Sequence, residues 1–290
     1  MATTIRNPLE WGFDQIKHGA DAIGAIGTSA SKPHEDVEKA PPRVRRIEIG
    51  DFVDIFRQAW DDFGVYRTDV FFLVIIYPVI GVAMASMVFG YDLLPLLFPM
   101  ASGFALIGPF AGLSLYEMSR RREMGEPVSW RNGVTVLESP AIGSIVMLGL
   151  VLCAAFITWM GTAWALYTAI MGPELPLSMS EFLESVLMTS QGHALILVGC
   201  GIGFLFACLV LAISVVSFPL LLERDVGIGM AIRTSFQAVA RNPVPMAFWG
   251  LIVAAGLILG SIPFFAGLIV VMPLLGHATW HLYRKVVMPG

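Results

Sequence analysis

Two histidines near the end of the chain have the spacing of a pair of metal ligands. His277 and His281 are four residues apart in GHATWHLYRKVVMPG, so on a helix both rings project from one face. A tetrahedral site needs three or four ligands, and His18, His34 and His193 all lie far away in the sequence. Aromatic rings followed by Arg and Lys are instead typical of a helix that leaves a membrane. We therefore expect no metal and no cofactor here.

Composition assigns the chain to the membrane proteins. Of its 290 residues, 56% are hydrophobic and 14% are charged, whereas about 25% of the residues in a soluble domain are charged. The net charge of −4 comes without a basic patch, so nucleic acid is not expected as a partner. The three cysteines, Cys153, Cys200 and Cys208, all lie in apolar sequence, which argues against both a disulfide framework and a zinc site.

Long charge-free stretches give the number of predicted spans. The intervals from Asp69 to Asp92 and from Asp92 to Glu117 hold 22 and 24 uncharged residues, close to the ~20 that cross a hydrocarbon core. The 42 residues before Arg284 are twice that length and must fold back, at a turn over residues 260–263 that contains Gly and Pro. Six spans result, over residues 70–90, 93–116, 141–171, 193–220, 244–260 and 264–283.

The cations predict how the spans are threaded. With six spans, all 18 Lys and Arg residues fall on one side, and cytoplasmic loops are the ones enriched in Lys and Arg. We therefore predict a bacterial inner-membrane protein with both termini in the cytoplasm. Residues 1–50 contain no apolar run that would make a signal peptide and are predicted to be a flexible cytoplasmic tail, followed by a transmembrane domain over residues 51–290.

Amphipathic segments precede the spans. In residues 51–66 the apolar side chains recur at helical spacing, with the acidic residues, Asp61 and Asp62 included, assigned to the opposite face. The acidic face favours docking on protein over anionic lipid. Similar short segments follow Arg131 and Arg233, so we predict an all-α bundle of three hairpins, each preceded by a cytoplasmic amphipathic helix. On the other side, Ser178 and Glu181 have the spacing of a capping box.

Candidate contact residues lie at the inner ends of the spans. Arg120, Arg121 and Arg122 follow the second span directly. They are either a topological anchor or a site for anionic lipid or an acidic partner, and the sequence leaves both interpretations open. Trp60 and Trp280 fall at the same level, where Trp rings favour the headgroup region.

Four motifs together carry a family resemblance. They are RRRE with the following GEPVSW from residue 120, SFPLLLERDVG from 217, ARNPVPMAFWGLIVAAGL from 240 and PLLGHATWHLYRKVV from 273. The combination resembles an uncharacterised proteobacterial integral-membrane family known only as a domain of unknown function, over residues 45–287. The resemblance implies an inner-membrane protein of about six helices and supplies no catalytic residues.

Three functions are compatible with these observations. No Asp, Glu, Lys or Arg falls inside a predicted span, and intramembrane charges are what pumps and proton relays use. We therefore favour a non-enzymatic accessory, assembly or scaffold component of a larger membrane complex, whose partners are lipids and other inner-membrane proteins. The alternative is a carrier or channel for a small neutral or amphiphilic solute, with prolines breaking helices beside its path. A lipid-modifying enzyme would need an activated nucleophile or a set of metal ligands, and the sequence shows no recognisable motif for either.

The predicted topology is testable by cysteine labelling in a cysteine-free background. A membrane-impermeant thiol reagent added from outside should modify cysteines at positions 92 and 176 but not at 125 or 226. Because the cation distribution fixes the orientation, the reverse labelling pattern would contradict the topology.

Overall fold

Most of the described chain is helical. The computed structural model describes residues 42–65, 82, 86, 93–101, 108, 112–126, 136, 139–263 and 265–288. Within these ranges the α-helices are α1 (Asp51–Val65), α2 (Leu113–Glu123), α3 (Ile142–Met171), α4 (Met179–Met188), α5 (Ser190–Ser214), α6 (Ser217–Glu223), α7 (Gly227–Arg241), α8 (Pro243–Ser261) and α9 (Leu268–Val286). The predicted all-α class is confirmed.

Three segments of the described chain are long and apolar enough to cross a membrane. They are Ile142–Met171, Ser190–Glu223 and Pro243–Ser261, which match the predicted spans at 141–171, 193–220 and 244–260. The first two predicted spans lie partly outside the described residues. The sixth, 264–283, is present as helix α9, but α9 is not among the three candidates.

Helix α9 occupies the centre of the packing. It contacts α1 along much of its length and also contacts α2, α6 and α8. Leu268, Ala278, Leu282 and Val286 have no exposed surface, so apolar residues are buried from one end of the helix to the other. A helix that is covered on several faces does not need the continuous apolar exterior of a lipid-facing span, which explains why α9 is less hydropathic than α3, α5 and α8.

The predicted turn between the last two helices is confirmed. Helix α8 ends at Ser261 and α9 begins at Leu268, and the intervening residues reverse the chain. Gly260 and Gly267 approach so closely that a Cβ added to Gly267 would lie 2.8 Å from the Gly260 Cα atom. Phe265 adopts a φ of 65°, a left-handed conformation that is uncommon for a residue with a Cβ.

The end of the predicted tail is tied to the helices. Val44 forms an antiparallel bridge with Val287. The Ile47 amide donates to the side-chain oxygen of Asn242 at 2.8 Å, and the Asn242 amide group donates to the Arg45 carbonyl at 3.0 Å. Asn242 precedes α8 as its N-cap residue, but its side chain makes no capping bond and holds this N-terminal strap (residues 42–48) instead. The rest of the tail, residues 1–41, lies outside the described residues.

Local helix signals agree with the structure at two further places. The Ser178 side chain accepts a hydrogen bond from the Glu181 amide, and the Glu181 carboxylate accepts one from the Leu177 amide, so the predicted capping box starts α4. The amphipathic segments at 51–66 and after Arg233 are the helices α1 and α7. The third segment, after Arg131, falls mostly outside the described residues.

Candidate functional site

The inward face of α1 carries a carboxylate. Phe52, Ile55, Ala59 and Asp62 are the buried residues of this helix, and their spacing of three, four and three residues defines one helical stripe. Trp60 lies outside that stripe and is 54% exposed. The predicted assignment of Asp62 to the polar, outward face is therefore wrong, because the stripe is rotated away from Trp60 and toward Asp62.

Three helices supply the groups that surround Asp62. From α2, Arg122 Nη1 donates to Oδ1 at 2.5 Å, and Ser119 Oγ donates to Oδ2 at 2.5 Å. From α9, His281 Nε2 donates to Oδ2 at 2.8 Å. A buried carboxylate is costly unless it is paired and hydrogen-bonded, and here both oxygens have charged or polar donors. Together with His277, these residues form what we call the Asp62 cluster.

The hydrogen-bond pattern assigns the tautomer of His277. Ser119 has one hydroxyl proton, and it points to Asp62, so the 2.8 Å contact between Ser119 Oγ and His277 Nδ1 requires the ring to donate from Nδ1. The Nε2 atom then carries the lone pair, and it is buried without a hydrogen-bond partner among the described residues. The preceding residue, Gly276, lies against the Leu115 side chain with no room for a Cβ.

The Asp62 cluster contains serine, histidine and aspartate without the order of a catalytic triad. In a triad the serine donates to the histidine, which the aspartate orients. Here Ser119 donates to the carboxylate itself and is 1% exposed, so no substrate reaches its oxygen. Within the described ranges there is also no group of three or more His, Cys, Asp and Glu residues arranged to hold a metal ion. The geometry is that of a clamp between helices.

Opposing effects act on the pKa of Asp62. Burial raises it, whereas the hydrogen bonds from His281 and Ser119 lower it, and the net result is a pKa below the usual value of 3.8. Asp62 is therefore ionised at neutral pH.

His277 and His281, predicted to lie where the last helix leaves the membrane, are both buried against protein. His277 is fully buried, and the His281 side chain is 11% exposed. Their spacing of four residues places both beside the same carboxylate. The sequence contains two signals for this site: the stripe at positions 52, 55, 59 and 62, which includes Asp62, and the pair of histidines four residues apart. Neither signal shows that the two segments contact each other, because they are more than 200 residues apart in the sequence.

The three consecutive arginines separate into two groups. Arg120 and Arg121 both pair with Glu117, at 3.0 and 2.7 Å, and the Glu117 side chain is only 5% exposed. Arg122 points the other way, to Asp62. The run is thus used on two faces of α2, which a helix permits because successive residues are rotated by about 100°.

A second ion-pair network joins the ends of three helices. Arg284 on α9 pairs with Glu123 on α2 at 2.8 Å and with Glu223 on α6 at 2.7 Å. Tyr283 donates its hydroxyl proton to Glu223, and Trp280 Nε1 donates to Glu123 at 3.2 Å. Trp280 is 1% exposed, so in this chain the ring contacts protein, whereas Trp60 remains available for the predicted contact with lipid or a partner.

A cavity of about 450 Å³ lies beside Glu117. It is formed by the end of α2, the start of α3 and the end of α6. Its wall combines three arginines and three carboxylates with apolar side chains. The lining residues are Glu117, Arg120, Arg121, Val136, Ser139, Pro140, Ala141, Leu221, Leu222, Glu223, Arg224 and Asp225. Its volume falls within the ~300–1,000 Å³ of ligand sites.

A known family model matches the middle of the chain. The model of a family described as predicted integral membrane protein (DUF2189), a domain of unknown function, matches residues 97–223. This match agrees with the resemblance based on the RRRE and SFPLLLERDVG motifs, which lie within or across it. No curated protein and no solved structure matches the chain.

Substitution of Asp62 tests the clamp. Asp62→Asn should lower the free energy of unfolding by about 3 kcal/mol at pH 7, because Arg122 and His281 lose a buried charged acceptor. Since the folded-state pKa is lowered, the carboxylate stabilises the fold fully above about pH 4 and loses this effect as the pH falls further. The difference in the free energy of unfolding between wild type and Asp62→Asn should therefore become smaller below about pH 4.

The matched control is Asp61→Asn, one residue away on the exposed face of α1. Its free energy of unfolding should be nearly that of wild type. The measurement is denaturant-induced unfolding in detergent, followed by tryptophan fluorescence. Equal effects of the two substitutions would contradict the clamp.

Proposed function

With residues 97–223 taken as an integral membrane domain, we propose that this protein is a non-catalytic accessory or scaffold component of a larger inner-membrane complex. The proposal includes six spans with both termini in the cytoplasm, where α1, α7 and the N-terminal strap would form a platform at the membrane surface. The observation that carries it is the outward face of α1, a helix fixed in place on one side and uncovered on the other.

The outward face of α1 has the composition of a contact surface. Val53 and Trp60 are 65% and 54% exposed and lie seven residues apart, on one face of the helix. Asp54 and Asp61 flank them and are exposed as well. Tryptophan is enriched at the energetic centres of protein interfaces. Because Asp54 already pairs with Lys285, Asp61 is the carboxylate beside the ring that would contact a basic segment of a partner.

A fixed helix is a better docking element than a mobile one. The Asp62 cluster holds the inward face of α1, and Lys285 on α9 pairs with Asp51 and Asp54 at 3.3 and 3.4 Å. Because the helix is already ordered, a partner would not have to supply the free energy of ordering it. These contacts support a scaffold role.

The test is the native size of the complex in mild detergent. Extracted from the membrane of its own cell, wild type should migrate well above the size of its 31.5 kDa chain. The double variant Trp60→Ala/Asp61→Lys should migrate as the lone protein in its micelle, because it loses the ring and reverses the flanking charge. A photoreactive amino acid at position 53 should form one defined adduct that the double variant lacks.

The control makes equivalent changes at the other end of the molecule, Leu177→Ala/Glu184→Lys around α4, where both side chains are exposed. This variant should keep the native size of wild type. If the α1 variant also keeps it, with an unchanged adduct at position 53, the proposed docking face is wrong.

A further inference from the structure

Two segments from opposite halves of the chain bring five arginines together, and we call these residues the arginine surface. They are Arg43, Arg45 and Arg46 in the N-terminal strap and Arg233 and Arg241 in α7. The strap is held at the end of α7 by Arg241 Nη1, which donates to the Val44 carbonyl at 2.8 Å, and by the two hydrogen bonds of Asn242.

The arginine surface lies beside the ends of two candidate spans. Helix α8 follows Asn242 directly and has 19 residues, a length of about 29 Å that nearly equals the ~30 Å of a hydrocarbon core. Taken as a span, α8 therefore begins at the edge of that core. Helix α5, with 25 residues, is also long enough to cross it and ends beside α7, where the Val216 amide donates to Ser235 Oγ at 3.3 Å.

Three of the five arginines have no partner within the described part of the chain. Arg43, Arg46 and Arg233 are exposed, and their side chains make no hydrogen bond or ion pair there. Helix α7 contains no carboxylate, and the strap contains one, Glu48. The arginine surface therefore keeps a positive charge.

Apolar side chains lie close to these cations. Phe236 is three residues from Arg233, on the same face of α7, and is 44% exposed. In α8, Val244 and Leu251 are 63% and 65% exposed, so this helix presents apolar side chains from its first turn. An exposed ring next to arginine is typical of a helix that lies in the plane of the lipid headgroups.

We propose that the arginine surface binds anionic phospholipid, of the phosphatidylglycerol class, at the surface of the bilayer. Arg46 and Arg233 contact lipid phosphates, and the Phe236 ring inserts between the headgroups toward the acyl chains. Clusters of about four to eight Lys and Arg residues beside a membrane helix, or on an amphipathic helix, favour anionic lipid over neutral lipid.

The opposite charges of α1 and α7 distinguish a lipid surface from a protein partner. Helix α1 has four aspartates and one arginine, whereas α7 has two arginines and no acidic residue. Anionic lipid therefore repels the first helix and attracts the second. An acidic protein could also pair with the arginines, but it would leave Phe236 and Val244 without apolar cover at the edge of the core. A bilayer covers both.

The inference rests on the membrane placement of α8 and residues 190–223, which is part of the proposed function, and not on the docking face of α1. Variants of the arginine surface should therefore leave the native size of the complex unchanged. Failure of the lipid site and failure of the scaffold role are thus distinguishable.

Native mass spectrometry of the full chain in detergent tests the choice of lipid, with phosphatidylglycerol and phosphatidylcholine as competing probes. Wild type should retain phosphatidylglycerol preferentially. Arg46→Gln and Arg233→Gln, made separately, should each weaken its binding about fivefold, the effect expected for one lost cation near the headgroups. Binding of phosphatidylcholine should not change.

The matched control is Arg57→Gln. It removes an exposed arginine from α1 that also has no ion-pair partner among the described residues. Because this position lies outside the arginine surface, the variant should bind phosphatidylglycerol as wild type does.

A nitroxide at position 236 measures the depth of the proposed anchor. The variant Phe236→Cys, in an otherwise cysteine-free chain, would be labelled and reconstituted in vesicles of phosphatidylcholine and phosphatidylglycerol. The label should collide more often with oxygen, which enters the bilayer, than with a water-soluble nickel chelate.

Three results would overturn the proposal. The first is equal retention of the two lipids by wild type. The second is phosphatidylglycerol binding that is unchanged in both Arg46→Gln and Arg233→Gln, or that falls equally in Arg57→Gln. The third is a nitroxide at position 236 that meets the nickel chelate more often than oxygen, which would place this face of α7 in water and assign it to an acidic protein partner.

Discussion

The structure depends on the solvation of one buried carboxylate. Asp62 is 4% exposed, and an ionised group at that depth costs several kcal/mol unless the protein replaces its water. The replacements come from two other helices, with Arg122 and Ser119 on α2 and His281 on α9. Helix α1 therefore cannot move away from α2 and α9 without leaving a charge unsolvated in the interior.

The helices differ in how polar and how buried they are. Helix α9 is covered by α1, α2, α6 and α8 and carries polar groups that lipid would not tolerate. Helices α3, α5 and α8 carry long apolar surfaces, and only about a fifth of each candidate spanning window is buried within the chain. Their remaining surface is suited to lipid or to other membrane proteins, whereas the charged helix ends are joined by Arg284, Glu123 and Glu223.

The sequence predicted those features that are encoded locally. Charge-free length located α3, α5 and α8, the Gly and Pro residues at 260–263 located the last turn, and Ser178 with Glu181 located the start of α4. Each of these signals is complete within a few turns of chain. The family resemblance was carried by equally local motifs, and the match over residues 97–223 agrees with it.

The Asp62 cluster was missed because its signal is not local. His281 and Asp62 are 219 residues apart in sequence, and Asp62 stands beside Asp61 in a segment where both looked equally exposed. A rotation of α1 about its own axis by a fraction of a turn decides which of the two carboxylates is buried. The packing of α1 against α9 sets this rotation. The contacts of Asn242 are non-local as well, because its side chain binds the N-terminal strap almost 200 residues away in the sequence.

The most direct test of this account is a double-mutant cycle between Asp62 and His281. The free energies of unfolding of wild type, Asp62→Asn, His281→Gln and the double variant would be measured in one detergent at pH 7. Residues that share a buried hydrogen bond show coupling of about 0.5–3 kcal/mol, and the structure predicts a value within that range. Effects that add to within about 0.3 kcal/mol, as they do for distant sites, would contradict the claim that Asp62 joins α1 to α9.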